Sequence, residues 1–244
     1  MISYDRIKTY VSGLDEKMEG GIPKHYVVLI SGPTGSMKSS LVFNILYNSA
    51  RERKIKGLYL SLEQSRESLI RHMQKLNMNI ENVKDYVTVM DLGKVRKEVG
   101  EEVVAAGFKI EEGRKISWIR SLKDQIENYK QMLRFEIVVI DSLDALCALS
   151  VMDNPRSEMF HFFEDLRSLG LTTFVVSEMP GESKLFGKYE IESFLSDGII
   201  HLATERTGKT VGRYISVVKM RETKHPTDYF PLLVTERGFE IVTK

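Results

Sequence analysis

The stretch YVVLISGPTGSMKSS, residues 26–40, decides the fold. Its first part, Tyr26 to Ser31, is a β-branched apolar run bounded by Pro23 before and Gly32-Pro33 after, the pattern of a strand buried on both faces. Past the glycine-bearing loop, Leu41 to Arg53 sets Leu41, Ile45, Leu46 and Ala50 on one helical face. Strand, loop and helix therefore follow one another directly. Within the loop, Gly32-Pro33-Thr34-Gly35-Ser36-Met37-Lys38-Ser39 matches the phosphate-binding pattern G-x-x-x-x-G-K-[ST] at every fixed position but one. That pattern aims backbone N–H groups at phosphate oxygens from a helix N-terminus, with a Lys ammonium for the β- and γ-phosphates and a hydroxyl for Mg²⁺. Lys38 and Ser39 supply the last two, and the residues from Gly32 to Ser40 are expected to contact ATP. Met37 is the exception. It stands where the pattern has its second glycine, so its side chain must turn away from the nucleotide and a conformation suited to glycine becomes costly.

Outward from this stretch the alternation of strand and helix continues. Gly57 to Leu62 reads as a second strand, and Ser65 can cap a helix whose Leu69, Ile70, Met73 and Leu76 fall on one side. Ile137 to Ile140 and Leu171 to Val176 read as third and fourth strands, with a helical Glu158 to Leu169 between them. Such alternation specifies an α/β fold with a mainly parallel sheet and helices on both faces. From Ile199 onward the pattern changes to short strands, Ile199–Ala203, Gly212–Met220, Tyr229–Thr235 and Phe239–Val242, expected to lie antiparallel at one edge. The charged segment between Asp91 and Ile116 reads as solvated helix and loop, and residues 179–192, with two Gly and a Pro, as an exposed, mobile connection. With no internal repeat, residues 1–244 read as one domain.

Two carboxylates stand at strand ends. Asp141 follows the third strand, at the C-terminal edge where parallel α/β folds bind ligands, and is placed to hold Mg²⁺ through water. Glu63 follows the second strand at the same edge and can accept the proton of a water attacking the γ-phosphate.

Five ordered segments, SGLDEKMEGGIPKHYVVLISGPTG (12–35), LSLEQS (60–65), VVIDSLDAL (138–146), FLSDGIIHL (194–202) and VVKMRETKH (217–225), resemble the KaiC family of RecA-like ATPases. The resemblance covers nearly the whole chain. It implies a RecA-like P-loop NTPase core, ATP with Mg²⁺ as ligand, and self-assembly into a ring, with a hexamer expected. It also implies that Glu63 is the catalytic glutamate, that Ser177-Glu178 lies at a γ-phosphate sensor position, and that Gln64 replaces a second glutamate carried by many relatives. By the same resemblance Lys219, Arg221 and His225 complete the ATP site of a neighbouring subunit. Alternation along Tyr214 to Arg221 puts Lys219 and Arg221 on one face, as paired cations for a γ-phosphate require.

Composition bounds the remaining choices. Lys+Arg 35 against Asp+Glu 34 leaves a net charge of +1, so no global field favours nucleic acid or an anionic membrane. Cys147 is the single cysteine, no apolar run reaches the roughly 20 residues of a membrane span, and the N-terminus has no apolar leader pattern. A cytoplasmic location is expected. Three functional readings follow: a slow ATPase acting as an oligomeric switch on a protein partner, an ATP-binding regulatory module without turnover, and a recombination accessory resembling RadA-type paralogues. Near-neutral charge ranks the third last.

Overall fold

The structure is a computed structural model that describes residues 5–92, 118–150, 152–179, 186 and 191–243. Along the chain the elements run β1 (Arg6–Ile7), β2 (Val11–Ser12), β3 (Ile22–Pro23), β4 (Val27–Gly32), α1 (Lys38–Arg53), β5 (Gly57–Ser61), α2 (Arg66–Lys75) and β6 (Val87–Asp91). The second half adds α3 (Trp118–Leu133), β7 (Ile137–Asp141), α4 (Leu143–Leu149), α5 (Pro155–Ser168), β8 (Thr172–Glu178) and α6 (Glu192–Leu195). It ends with β9 (Gly198–Thr207), β10 (Thr210–Met220), β11 (Phe230–Thr235) and β12 (Gly238–Ile241). A ten-stranded sheet has the order β2-β12-β11-β10-β9-β4-β8-β7-β5-β6, and β1 pairs with β3 separately. From β9 through β4, β8, β7 and β5 to β6 every pairing is parallel. The pairs from β9 to β12 are antiparallel, as expected, while β12 pairs with β2 in parallel.

Helices cover both faces. Each residue of β4 is buried, because Val28 and Ile30 face the α1 and α2 layer while Val27 and Leu29 face α3, α4 and α5. An unbroken apolar run is the sequence consequence of two covered faces. Helix α1 is itself buried along most of its length, with Phe43, Leu46 and Tyr47 inside the core. Gly57 opens β5 directly under it. A Cβ there would sit 2.0 Å from Leu46 Cδ1, so the glycine sets how closely helix and sheet approach.

The structure extends the expected elements in three places. Edge strand β6 alternates buried Val87 and Val89 with more exposed neighbours, and α3 buries Ile119, Leu122 and Ile126 at helical spacing. Helix α4 follows β7 at once, capped by Ser142, whose hydroxyl accepts from the N–H of Ala145. The expected surface segment and the expected loop lie, apart from their ends and Phe186, outside the described residues.

Candidate functional site

Register assembles the site. Ser61, Asp141 and Val176 are level across β5, β7 and β8, and Ser31 is level with Ser177 across β4 and β8, so four strand ends meet at one edge. The loop from β4 to α1 closes over that edge. At Gly32 a Cβ would lie 2.2 Å from the Leu202 carbonyl oxygen, which fixes the residue type at the start of the loop. Helix α1 begins at Lys38, earlier than the apolar periodicity alone indicates, because polar Lys38 and Ser39 form its first turn. Met37, immediately before it, has φ 76° and ψ 29°. This left-handed conformation costs a methionine about 1 kcal/mol relative to glycine. Its side chain packs against the core on the α1 face and lines the cleft, so burial offsets part of that cost.

The Lys38 ammonium is buried and donates to the carbonyls of Gly32 (2.9 Å) and Pro33 (3.0 Å). Loss of solvent pushes its pKa down, against the attraction of Glu178, Asp141, Asp144 and Glu63. Asp141 is buried at the end of β7 and its pKa is raised, first by burial and also by the charge of Glu63. Hydrogen bonds from Tyr59 and Ser39 and the charge of Lys38 oppose that rise. Glu63 accepts a hydrogen bond from the Ser142 hydroxyl. Glu178 accepts from Thr34 Oγ1 at 2.5 Å, and its N–H donates to Asp144 Oδ2 at 2.6 Å. These groups border a cleft of about 370 Å³.

The donor set fits Mg²⁺ bound together with phosphate. Ser39 and Asp141 offer hard oxygen ligands, and Glu63 adds negative charge nearby. Among the described residues no group of three or more His, Cys, Asp or Glu could hold a metal alone. Mg²⁺ characteristically takes one or two protein ligands and completes its shell with water and substrate phosphates. Ser39 and Asp141 would hold it here.

Of the other expected contacts, Thr34, Gly35 and Ser40 line the cleft, while Ser36 is buried within the loop. Of the expected sensor pair, Glu178 lines the cleft but Ser177 does not. Ser177 is fully buried, and strand alternation gives the cleft to Val176 and Glu178 on either side of it. Two residues absent from the sequence reading do line the cleft, Arg213 on β10 and His72 on α2. His72 Nε2 lies 3.1 Å from Ser40 Oγ. Arg213 shares a strand face with Ile215 and Val217, both in the core layer of α1, while its place at the cleft depends on the pairing of β10 with β9.

Lys219 and Arg221 lie at the opposite edge. The register of β10 on β9 and β9 on β4 sets Met220 level with Gly198 and Gly198 level with Val28, near the start of β4. Lys219 Nζ donates to the carbonyls of Ser193 (3.0 Å), Phe194 (3.3 Å) and Ser196 (2.6 Å), and Arg221 pairs with Asp197 at 2.7 Å. The two cations turn to one segment, residues 193–197, although β10 ends at Met220, before Arg221, and its register shifts between Val217 and Lys219. His225 lies on the loop after β10, with Nδ1 3.3 Å from the Pro226 carbonyl.

Comparison with known proteins agrees with this fold. A circadian clock oscillator protein KaiC of Rippkaea orientalis is 28% identical over 240 residues, 97% of this chain and 44% of that protein. A UPF0273 protein of Sulfurisphaera tokodaii is 28% identical over 237 residues, covering 97% of this chain and 82% of that one. The chain thus spans about 44% of the clock protein's length. The crystal structure of a KaiC-like protein from Pyrococcus horikoshii superposes with a TM-score of 0.80 at 24% identity, over 99% of this chain and 100% of that one, and shares its fold. A family model described as ATPase, KaiC, matches residues 7–244. With the RecA-like sheet and a phosphate loop at its C-terminal edge, the chain belongs to the KaiC family of ATPases.

Proposed function

We propose that the chain binds MgATP in the cleft at the ends of β4, β5, β7 and β8, hydrolyses it slowly, and uses nucleotide state to switch a ring of like subunits. The observation that carries this reading is the buried Lys38 ammonium, held on the loop carbonyls beside Ser39 and Asp141 at the start of α1. Phosphate oxygens are stronger acceptors than those carbonyls, so the ammonium can exchange one set for the other. Mg²⁺ supplies charge neutralisation at the β- and γ-phosphates. Glu63, held by Ser142, is exposed enough to meet a water and acts as its general base. Arg213 adds a cation from the same chain, and Lys219, Arg221 and His225 complete the site of the next subunit. The ring in turn presents its nucleotide state to a regulatory protein. Net charge of +1 gives nucleic acid no comparable support.

A second reading, ATP binding without turnover, draws on one observation. Met37 holds a left-handed backbone in the phosphate loop, and altered loop geometry lowers catalysis before it abolishes binding. The test measures ATP affinity with Mg²⁺ and with EDTA, then phosphate release in a single turnover. We expect Mg²⁺-dependent binding, weakened about 100-fold in Lys38→Ala, which removes the charged donor to the phosphates. No affinity at millimolar nucleotide overturns the proposal, and tight binding with no phosphate release puts the second reading first.

A further inference from the structure

We infer that Tyr59 is a positioning residue for the metal: its buried hydroxyl fixes the carboxylate of Asp141 in the orientation that holds Mg²⁺. The inference rests on the MgATP reading above. Tyr59 lies in the middle of β5, level with Val139 on β7, and Asp141 is two residues further along that neighbouring strand. Diagonal neighbours of this kind are roughly 7–8 Å apart at the backbone, a distance an aromatic side chain can span. The Tyr59 hydroxyl crosses it and donates to Asp141 Oδ2.

The surroundings give the hydroxyl no packing role. Tyr59 is fully buried in the α1-side core, with the Phe43 ring 5.8 Å away and tilted by 55°. A phenylalanine would fill that space equally well and would carry no polar atom into the core. The hydroxyl is accounted for by the group it holds. A carboxylate has about four lone-pair sites, and the Tyr59 donor occupies one while leaving the others for a metal-bound water. Packing by Phe43 restricts the phenol ring and, through it, the carboxylate. Groups that orient a metal ligand in this way commonly contribute a factor of about 10 to 100 in metal affinity.

The test titrates Mg²⁺ against ATP binding by wild type and Tyr59→Phe, with ATP affinity in EDTA as a second readout. The expected result is a Mg²⁺ requirement raised by about tenfold or more in Tyr59→Phe, with affinity in EDTA unchanged. A role confined to packing would leave the Mg²⁺ requirement alone. An identical Mg²⁺ titration, in a protein whose wild type depends on Mg²⁺, overturns the Tyr59 role and leaves the nucleotide site standing. A wild type that binds no ATP, or binds it without regard to Mg²⁺, overturns both. Should Tyr59→Phe not fold, wild-type protein carrying ¹³Cζ-labelled tyrosine decides the matter. The Tyr59 resonance should move when Mg²⁺ is added to the ATP-bound protein, and a resonance that stays in place overturns the inference.

Discussion

The two ends of the parallel strands treat charge in opposite ways. At the start of β4, Asp197 is buried but receives Arg221 at 2.7 Å, Arg167 at 3.4 Å and the Val27 N–H at 3.0 Å, while Lys219 satisfies three carbonyls. Each charge there has an opposite charge or a set of dipoles turned to it. At the other end, Asp141, Glu63, Asp144 and Glu178 act on one buried lysine, and Asp141 is held at a raised pKa by burial and by Glu63. Burial and Arg221 push the Lys219 pKa down as well, so the contrast lies in the carboxylates: Asp197 meets two guanidiniums, whereas Asp141 sits beside Glu63 at a cost that bound metal would offset. The difference separates a carboxylate matched by the chain's own cations from one left for a ligand's. It also says what trans action requires, since Lys219 and Arg221 must give up internal partners to reach a neighbour.

The largest effect that would sharpen this contrast is expected at Glu63. Glu63→Gln keeps the shape and the contact with Ser142 but cannot take a proton, so phosphate release should fall about 10²- to 10⁴-fold with ATP binding intact. Turnover equal to wild type would remove the base role from the costly edge.

Asp141→Asn tests that cost directly. Because its folded pKa is raised, an ionised Asp141 destabilises the fold above that pKa, and the penalty vanishes at low pH where folded and unfolded chains are both protonated. The variant should melt roughly 2–4 °C higher than wild type at neutral pH without nucleotide, the shift produced by about 1 kcal/mol in a chain of this size. That gain should disappear in acid, and MgATP affinity should drop. A ligand-free melting temperature that falls at neutral pH would show that the carboxylate stabilises the fold, and the contrast between the edges would fail.

The smallest effect belongs to Met37. Relief of its left-handed backbone in Met37→Gly should tighten ATP binding by about fivefold, equivalent to about 1 kcal/mol. Weaker binding would mean that the packing of the methionine side chain, and not the backbone, shapes the loop.

The fold was legible where periodicity was strong. β4, β5, β7 and β8 have both faces covered and therefore read as continuous apolar runs, and the switch to antiparallel strands at β9 marks a change in connection length. The edge strand β6 is short and half-exposed, so its pattern is faint. Glu63, Asp141 and the phosphate loop were legible because strand ends and a fixed motif locate them. Arg213 was not, since it enters the cleft through the pairing of β10 with β9, a long-range register that local pattern does not display. Ser177 shows the same difficulty in reverse. It sits at the expected strand end, yet the two-residue period turns it into the core and gives Glu178 the cleft.

The central claim is that these two edges serve one chemistry across two subunits, and a mixing experiment tests it most directly. Lys38→Ala protein lacks the phosphate-binding cation but keeps Lys219 and Arg221, whereas Arg221→Ala protein keeps the phosphate loop and lacks one distant cation. A trans-acting cation can contribute about 10³-fold or more to phosphoryl transfer, so each parent alone should be nearly inactive. The account predicts that mixed rings recover ATP hydrolysis in proportion to the fraction of junctions pairing an intact loop with an intact Arg221. A mixture that remains inactive after subunit exchange has been demonstrated, or a wild-type monomer that hydrolyses ATP at the full rate, would contradict it.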